Sequence, residues 1–434
     1  MAGARIVIVG GGFAGFHAAR RLSKLARGAA EITLINPTDY FLYLPLLPQV
    51  TGGLLDANRV AVSLPTALPK VRLILGEARH VDLDGRRVEY VDPDDRAGDV
   101  SYDRLVIAAG SVNKLLPIPG ITDHAHGFRG IPEALYLREH LTRQVEMAEE
   151  TDDADERAAR LTFVVVGAGY TGTEVLAHGQ ILTESIIKSR PRLRGETSRW
   201  YLLDTADRVL PGLDPRLSET ADRLLRRRGV RLRMRTSITE ATADGVHMSD
   251  GTRLATKTLI WCVGVRPDPF VEDLGLPTDK GRLVVDEYLT VPGHPEVYGI
   301  GDAAAVPDLT RPGEITAMTA QHAERHGKLA AGNIAASFGA GRLRAYRHHD
   351  LGFTVDLAGG AAAANPLGIP LSGLAAAGVT AGYHLLALPK NRASVAAEWV
   401  IGAFMPRQPV QLGLVRAAAV PLNTETPALP TRTG

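Results

Sequence analysis

Two copies of one glycine motif constrain the fold of this 434-residue chain more than any other feature. The first copy, GGGFAG, occupies residues 10–15 after the apolar run 5–9, and the second, GAGYTG, occupies residues 167–172 after the apolar run 163–166. In each copy a run of strand length leads into G-x-G-x-x-G and then into a helical pattern. One copy alone is a weak signal, because glycine-rich turns occur in many folds. Two copies in this context predict an α/β fold with two Rossmann-like units, each holding one dinucleotide.

Composition narrows the range of functions. The chain has 49 basic and 48 acidic residues, and this balance leaves no general electrostatic basis for binding nucleic acid. Cys262 is the single cysteine, so an internal disulfide and a redox-active dithiol are both excluded, as suits a reducing cytoplasm. Residues 1–11 have the pattern of a short segment leading into a strand, so we expect no secretion signal. No metal site is predicted.

The end of the second strand in each unit is where a dinucleotide's ribose normally meets an acidic residue. In the first unit this position is Asn36, whose amide can still hydrogen-bond a ribose hydroxyl without charge. In the second unit it is Asp204, which lies further from its glycine motif than is usual. The extra length predicts a long helix followed by a loop between them. A carboxylate accepts from the 2′-hydroxyl of NADH and repels the 2′-phosphate of NADPH, so we expect NADH, with Arg208 as the residue that could reverse this choice. The alternative for Asp204 is a strand-end cap without a ligand.

The order of motifs resembles that of the flavoproteins with two dinucleotide-binding domains. Besides the two glycine motifs, the shared elements are the strand end Ala109-Gly110, the strand 259–265 and the turn Gly301-Asp302. The resemblance implies that the first unit binds FAD, here without a covalent bond, that the second binds a nicotinamide dinucleotide, and that Asp302 hydrogen-bonds the ribityl chain of the flavin.

The same resemblance implies a domain arrangement in which the nicotinamide domain is inserted into a discontinuous FAD domain. The FAD domain is predicted over residues 1–115 and 290–345, and the NAD(H) domain over residues 116–289. A C-terminal α+β or helical region follows over residues 346–422, and residues 423–434 are predicted to form a disordered tail.

Residues 36–60 contain no cysteine, which excludes the superfamily's cysteine-dependent reductases. The chain instead resembles the type II NADH dehydrogenases, in the stretch 38–52 with its Pro-Leu-Leu and Gln-Val-x-Gly elements, in 165–174, and in the helix 319–327. This resemblance implies a respiratory NADH:quinone oxidoreductase that passes hydride from NADH to flavin N5 and two electrons to a quinone, without pumping protons. For Cys262 the simpler interpretation is a small buried apolar residue.

The resemblance also implies the site residues. Glu174 is expected to position the nicotinamide carboxamide and handle protons, and Gln321 to hydrogen-bond the quinone; the alternatives are a helix-dipole carboxylate and a surface helix residue. Arg325 replaces the family's second glutamine, and its fixed charge favours a narrower pocket or a more polar acceptor. The residues expected to contact the two cofactors are Gly10, Gly12, Phe13, Ala14, Gly15, Asn36, Pro45, Ala109, Gly110, Gly301, Asp302, Thr319 and Ala320 for FAD, and Gly167, Gly169, Tyr170, Thr171, Gly172, Asp204, Val263 and Gly264 for NADH.

The C-terminal region determines where such an enzyme works. Residues 357–389 carry no Asp, Glu, Lys or Arg, but they are rich in Ala and Gly, which argues against a membrane span. The segments 395–404 and 410–416, with Arg407 and Arg416, suit helices lying on a bilayer. The family resemblance implies membrane anchoring at this region, often with a homodimer contact. A third packed layer over the flavin domain is the alternative, so the protein is expected in the cytoplasm, either free or peripheral on the inner face of the cell membrane.

Two other classes of function stay open from the sequence. One is a soluble FAD-dependent NAD(P)H oxidoreductase that acts on a specialised-metabolite quinone or a protein electron carrier, which Arg325 and the weakly hydrophobic C-terminus favour. The other is a redox-sensing flavoprotein with little turnover.

Overall fold

Two open sheets, each with parallel strands at its centre, form the framework of this computed structural model, which describes residues 3–405 and 409–423. The first sheet has six strands, in the order Thr290–Val291, His294–Gly299, Arg104–Ile107, Ala4–Val9, Ala30–Asn36 and Arg72–Leu75. The second has five, in the order Ala125–Gly127, Thr258–Trp261, Thr162–Val166, Arg199–Asp204 and Arg231–Met234. Only the edge strand Thr290–Val291 pairs antiparallel within these sheets.

The central strands are largely apolar because each sheet is covered on both faces, by helices such as Phe13–Ala26 and Tyr170–Lys188 on one face and by a small antiparallel sheet on the other. Thr162–Val166, for example, is buried at every position. The longer helices of the chain are Phe13–Ala26, Ile131–Glu150, Ala154–Arg160, Tyr170–Lys188, Pro215–Arg227, Ala320–Ser337, Gly373–Ala387 and Arg392–Phe404. The predicted long helix between the second glycine motif and Asp204 is therefore present, as Tyr170–Lys188.

Short elements connect and flank the two sheets. Six small sheets comprise Tyr40–Leu42 with Ala61–Ser63; Glu77–Asp82, Arg87–Val91 and Ala97–Ser101; Ser111–Asn113 with Val265–Pro267; Ile238–Thr242, Gly245–Met248 and Arg253–Ala255; Thr278–Asp279, Arg282–Val284 and Ala304–Ala305; and Thr354–Asp356, Ala362–Ala364 and Leu371–Ser372. The short α-helices are Leu47–Thr51, Ala57–Val60, Leu64–Ala67 and Ile121–His124, and the 3₁₀ turns are Leu44–Leu46, Pro191–Leu193, Pro269–Leu274, Gly301–Ala303, Pro366–Gly368 and Ala417–Ala419.

The first sheet is assembled from two distant stretches of the chain. Val297 pairs with Leu105 in a parallel ladder, so the chain returns to the first sheet after it has built the second. The helix Ala320–Ser337 then packs on Phe13–Ala26, and the approach is so close that a Cβ on Gly327 would lie 2.2 Å from the carbonyl oxygen of Ala14. The predicted α/β class with two Rossmann-like units is confirmed, and the domain limits given above stay predictions.

One predicted strand is wrong in its extent. The strand expected over residues 259–265 ends at Trp261, and Val265–Pro267 pairs instead with Ser111–Asn113 in a separate antiparallel ribbon. Gly264 lies between them with a φ of 101°, a left-handed conformation that a strand interior does not take. The glycine therefore turns the chain out of the second sheet.

The C-terminal region combines the small sheet that begins with Thr354–Asp356 and the helices Gly373–Ala387 and Arg392–Phe404. One face of Gly373–Ala387 is packed, since Ala376 and His384 are buried, while the opposite face is open, with Leu374 81% exposed. In residues 3–405 and 409–423 no helix combines the length and apolar character needed to cross a membrane. Arg407 and residues 424–434 of the predicted tail lie outside the described residues.

Candidate active site

The first glycine loop is determined by steric contacts that only glycine permits. Gly10 has a φ of 98°, and a Cβ there would lie 2.3 Å from the carbonyl oxygen of Ala108. A Cβ on Gly15 would lie 1.8 Å from the carbonyl oxygen of Gly10. At Gly12, by contrast, a Cβ would meet no atom of the described residues within 4 Å. The loop is therefore tight on the protein side and open at the start of the helix Phe13–Ala26, where backbone N–H groups can receive a pyrophosphate.

The second loop repeats this geometry. Gly167 has a φ of 105°, and a Cβ there would lie 2.1 Å from the carbonyl oxygen of Cys262, while one on Gly172 would lie 2.0 Å from the carbonyl oxygen of Gly167. Gly169 again faces open space with respect to the described part of the chain. The helix Tyr170–Lys188 begins here, so the second loop also presents helix N-terminal donors to a ligand.

The residue at each strand end supports its own loop. Asn36 Oδ1 accepts a hydrogen bond of 2.7 Å from the backbone N–H of Gly11, and its Nδ2 donates to the carbonyl and hydroxyl oxygens of Thr38. The carboxylate of Asp204 accepts from the N–H of Ala168 at 2.5 Å and from that of Ala206 at 2.8 Å. Both side chains lie at the predicted strand ends. The capping role of Asp204 is the alternative that the sequence offered, whereas the support that Asn36 gives to its loop was not predicted.

The remaining predicted FAD contacts gather around the first loop. A Cβ on Gly301 would lie 2.8 Å from the Cβ of Ala14, and Ala109 follows directly after the carbonyl that closes on Gly10. Phe13 packs edge-on against Phe41 with ring centroids 5.0 Å apart. Of the others, Gly110 has a φ of 81°, Pro45 lies in the turn Leu44–Leu46, and Thr319 and Ala320 lie at the start of the helix Ala320–Ser337, which packs on Phe13–Ala26.

Asp302 lies in a polar pocket beside this loop. Its Oδ2 accepts a 2.8 Å hydrogen bond from the Ser111 hydroxyl. Burial raises the pKa of Asp302, while Ser111 and the Arg282 guanidinium act in the opposite direction. Arg282 is 5% exposed; its Nη1 donates to the carbonyl oxygen of Thr316, and its Nε and Nη2 have no hydrogen-bond partner among the described residues. Such unpartnered donors fit a ligand rich in acceptor atoms, and the sequence did not single out Arg282.

The predicted NADH contacts border the second loop. Tyr170 stacks on Phe353 with ring centroids 5.4 Å apart, and the backbone nitrogen of Val263 would lie 3.1 Å from a Cβ on Gly167. Thr171 is exposed at the helix start, and the carbonyl oxygen of Gly264 accepts from the N–H of Lys114. Phe353 therefore covers the second loop at Tyr170.

Gln321 and Arg325 differ in what their polar ends do. Gln321 Nε2 donates to the carbonyl oxygen of Gly352 at 2.7 Å, and its buried Oε1 has no partner among the described residues. Arg325 Nη1 lies 2.8 Å from Nδ1 of His348, to which it donates. The Gln321 amide therefore keeps a free acceptor, whereas part of the Arg325 guanidinium is tied to a histidine.

Glu174 is linked to Gln321 through residues 352–356, a stretch that we call the bridging segment. Glu174 Oε1 accepts a 2.9 Å hydrogen bond from the backbone N–H of Asp356, at the end of the strand Thr354–Asp356. Burial raises the pKa of Glu174 well above its usual value; this hydrogen bond lowers it, and the charge of Asp356 raises it. The two predicted catalytic side chains thus meet one short piece of the C-terminal region.

Three polar residues of this network were not predicted from the sequence. Asp356 Oδ2 accepts from Nε2 of Gln49 at 2.9 Å and from Nε2 of His178 at 3.0 Å. The only sequence signal was that Asp356 is the last charged residue before the uncharged run 357–389. Cys262 takes no part in the network: it is free, partly buried, and its pKa is raised by burial to about 12, which fits an inert apolar residue.

Comparisons with known proteins agree with this geometry. A family model described as pyridine nucleotide-disulphide oxidoreductase matches residues 4–327. A curated relative named type II NADH:quinone oxidoreductase Ndh, from Mycobacterium tuberculosis, is 34% identical over 322 residues, which cover 70% of this chain and 67% of the relative. The chain belongs to the type II NADH:quinone oxidoreductases. The predicted enzyme class, an NADH dehydrogenase that uses a flavin and reduces a quinone, is confirmed by this membership.

More distant relatives extend over the C-terminal region. The demethylphylloquinone reductase NdbB of Synechocystis is 28% identical over 420 residues, covering 93% of this chain and 98% of the relative. Among solved structures, that of NDH2 from Plasmodium falciparum in complex with NADH aligns with a TM-score of 0.86 over 94% of this chain and 99% of that one, at 17% identity. That likeness shows a shared fold extending into the C-terminal region.

Proposed function

We propose that this family member works with non-covalently bound FAD in the first unit and NADH in the second. In this proposal Glu174 positions the nicotinamide carboxamide and handles protons, and Gln321 forms hydrogen bonds at the quinone site. When bound, FAD supplies a centre that takes hydride and releases two electrons to the quinone. The observation that carries the proposal is the bridging segment, because its Gly352 carbonyl holds Gln321 and its Asp356 N–H holds Glu174.

The residues around the first loop fit FAD. The open face at Gly12 leaves room for a pyrophosphate against the helix start. The carboxylate of Asp302 can accept from a ribityl hydroxyl while it keeps its bond from Ser111. The free Oε1 of Gln321 supports a role in accepting a hydrogen bond from a flavin N–H or from a quinol hydroxyl.

The second unit favours NADH over NADPH. Asp204 places a carboxylate at the ribose end of the loop, where a 2′-phosphate would meet like charge. Arg208, which could have neutralised that phosphate, instead donates from Nη2 to the carbonyl oxygens of Pro211 and Leu213. The Arg208 guanidinium is therefore hydrogen-bonded within its own loop.

Glu174 is suited to hold the proton that quinone reduction consumes. Reduction of a quinone to a quinol by NADH takes up one proton in addition to the hydride. Because burial raises its pKa, Glu174 keeps a proton to higher pH than an exposed glutamate does. Gln321, with a free acceptor atom, is suited to orient the quinol, whose hydroxyl groups donate.

The open face of the C-terminal helices supports peripheral attachment to the inner face of the cell membrane. Most of the large exposed apolar side chains of the described residues cluster here: Leu367, Ile369, Leu374, Val379, Tyr383, Leu386, Val400, Ile401, Phe404, Met405, Val410, Leu412 and Leu414. A patch of this kind, with Arg392 and Arg416 in the same region, suits a bilayer surface with anionic headgroups. A second copy of the chain is the competing occupant.

Stopped-flow spectroscopy tests the cofactor and acceptor assignments. The purified flavoprotein is mixed with NADH or NADPH, and the reduced enzyme is then mixed with a short-chain menaquinone analogue or with oxygen. We expect NADH to bleach the flavin absorbance rapidly and the quinone to reoxidise the flavin rapidly. If the quinone reoxidises the flavin no faster than oxygen does, the quinone assignment is wrong. Co-sedimentation with anionic vesicles, beside light scattering of the free protein, separates membrane binding from dimerisation.

A further inference from the structure

Asp356 is the one acidic side chain that the bridging segment contributes to the network. Its Oδ2 accepts from Gln49 and His178, its Oδ1 accepts from the N–H of Ala358 at 2.8 Å, and its own N–H donates to Glu174. One residue of the C-terminal region therefore contacts side chains from both dinucleotide-binding units.

Two of these partners, Gln49 and His178, lie on helices of the two units. Gln49 belongs to the short helix Leu47–Thr51, and its Oε1 accepts a 2.7 Å hydrogen bond from Nε1 of Trp399. Trp399 lies on the helix Arg392–Phe404, which carries part of the exposed apolar surface. The network thus runs from that surface to the segment that holds Gln321.

We propose that Asp356 is a positioning residue for the acceptor half-reaction: its carboxylate orients Gln49 and His178, and its backbone N–H orients Glu174. This inference rests on the proposed function of Glu174. Asp356 itself touches neither substrate; it acts through the three side chains that it holds.

The charges around Asp356 keep it ionised. Burial alone would raise its pKa, but His178 and the hydrogen bonds from Ala358 and Gln49 bring it down to about 2. The other titratable or charged groups that face this carboxylate or Glu174 are Arg228, which donates to the carbonyl oxygens of Leu357 and Ala358, and His384 and Tyr170. Since the negative charge of Asp356 raises the pKa of Glu174, it helps Glu174 retain its proton.

The substitution Asp356→Asn separates positioning from a general structural role. It keeps the backbone N–H to Glu174 and removes the charge. We expect the flavin spectrum, NADH binding and the rate of flavin reduction by NADH to stay within about twofold, while quinone-dependent kcat falls by about tenfold. The pH at which quinone reduction declines should move downward, because Glu174 loses the neighbouring charge that raises its pKa.

Three further variants complete the test. His178→Gln retains a donor for Asp356 and should keep quinone turnover within about threefold, whereas His178→Leu should lose about as much as Asp356→Asn. Asp153→Asn removes a carboxylate of similar chemistry that caps the distant helix Ala154–Arg160, and it should change neither half-reaction.

The outcomes distinguish this inference from the function on which it rests. If wild-type enzyme is reduced by NADH but not reoxidised by quinone, the proposed function fails, and the role of Asp356 fails with it. If wild type turns over quinone and Asp356→Asn has the same kcat and the same pH profile, only the positioning role is overturned. Equal loss of flavin reduction and quinone reduction in Asp356→Asn, accompanied by a lower Tm, would mean that the residue is merely structural.

Discussion

The two glycine loops have the same shape but different chemistry at the strand end that supports them. In both, a Cβ on the first or last glycine would collide with a backbone carbonyl, and the middle glycine faces open space with respect to the described residues. In both, a side-chain oxygen at the end of the neighbouring strand accepts from a loop N–H, Gly11 in one case and Ala168 in the other. The loop shape therefore requires an acceptor at this position, whatever its charge.

What differs is the hydrogen bonding of the other polar atom in each side chain, Nδ2 of Asn36 and Oδ1 of Asp204. The amide of Asn36 donates to two oxygens of Thr38, whereas the carboxylate of Asp204 accepts a second N–H, from Ala206. An amide suits a position where both donors and acceptors are needed, and a carboxylate suits one where only donors approach. The comparison teaches that loop geometry and ligand charge preference are set by different atoms of the same residue.

The largest expected effect comes from breaking the shared shape. Gly15→Ala places a Cβ 1.8 Å from the carbonyl oxygen of Gly10, and Gly172→Ala places one 2.0 Å from that of Gly167, so each loop must move. We expect Gly15→Ala to purify largely without flavin, and Gly172→Ala to keep flavin but bind NADH on the order of tenfold more weakly or worse. Flavin absorbance per protein and NADH titration measure the two losses.

Gly332→Ala serves as the control, since it lies in the helix Ala320–Ser337 with no described atom within 4 Å of a Cβ. It should retain both cofactors and gain helix stability of up to about 1 kcal/mol. If Gly15→Ala and Gly172→Ala lost the same cofactor, the assignment of one dinucleotide to each loop would be wrong.

A smaller effect is expected when the second loop is given the chemistry of the first. Asp204→Asn keeps an oxygen for the N–H of Ala168, loses the acceptor for the N–H of Ala206, and removes the charge that repels a 2′-phosphate. Relief of a repulsion of about 1–4 kcal/mol should improve kcat/KM for NADPH at least about fivefold, with a smaller loss for NADH. Steady-state kinetics with both nucleotides measure the change.

The matched control is Asp207→Asn, which removes an exposed carboxylate three residues further along the chain. An equal change in nucleotide preference in this variant would show that net charge, not the position of Asp204, sets the choice.

The smallest effect on cofactor binding is expected from the reverse exchange in the first loop. Asn36→Asp keeps the acceptor for Gly11 but loses both donors to Thr38, one of which meets a carbonyl oxygen that a carboxylate cannot satisfy. We expect flavin to be retained and the free energy of unfolding to fall by about 1–3 kcal/mol, measured by urea denaturation. Unchanged stability would mean that the Thr38 contacts contribute nothing, and that the two strand ends are interchangeable.

The sequence predicted the loops well because their geometry is local. Gly10 and Gly15, or Gly167 and Gly172, lie within one strand-turn-helix, so spacing alone indicates which backbone atoms must approach. The order of the motifs likewise predicted the α/β class. The strand expected over residues 259–265 was wrong because the apolar sequence continues past Trp261, whereas the extended backbone conformation ends before Gly264, whose φ is positive.

The network around Asp356 could not be predicted in this way. Gln49 and Asp356 are 307 residues apart, and Asp356 and His178 are 178 apart, so no local pattern relates them. Arg325 was identified as a departure from the family helix, but its bond to His348 depends on a loop whose course the sequence does not indicate. Pairings of this kind arise only when three separate parts of the chain have packed together.

The return of the chain to the first sheet has a consequence for biosynthesis. The second sheet draws all its strands from residues 125–261, so it can be completed while the remainder is still being translated. The first sheet must wait for His294–Gly299, and its glycine loop for Gly301 and Gly327, which pack against Ala14. During synthesis the second glycine loop can therefore form before the first one, whose sheet is complete only after residue 299 has been translated.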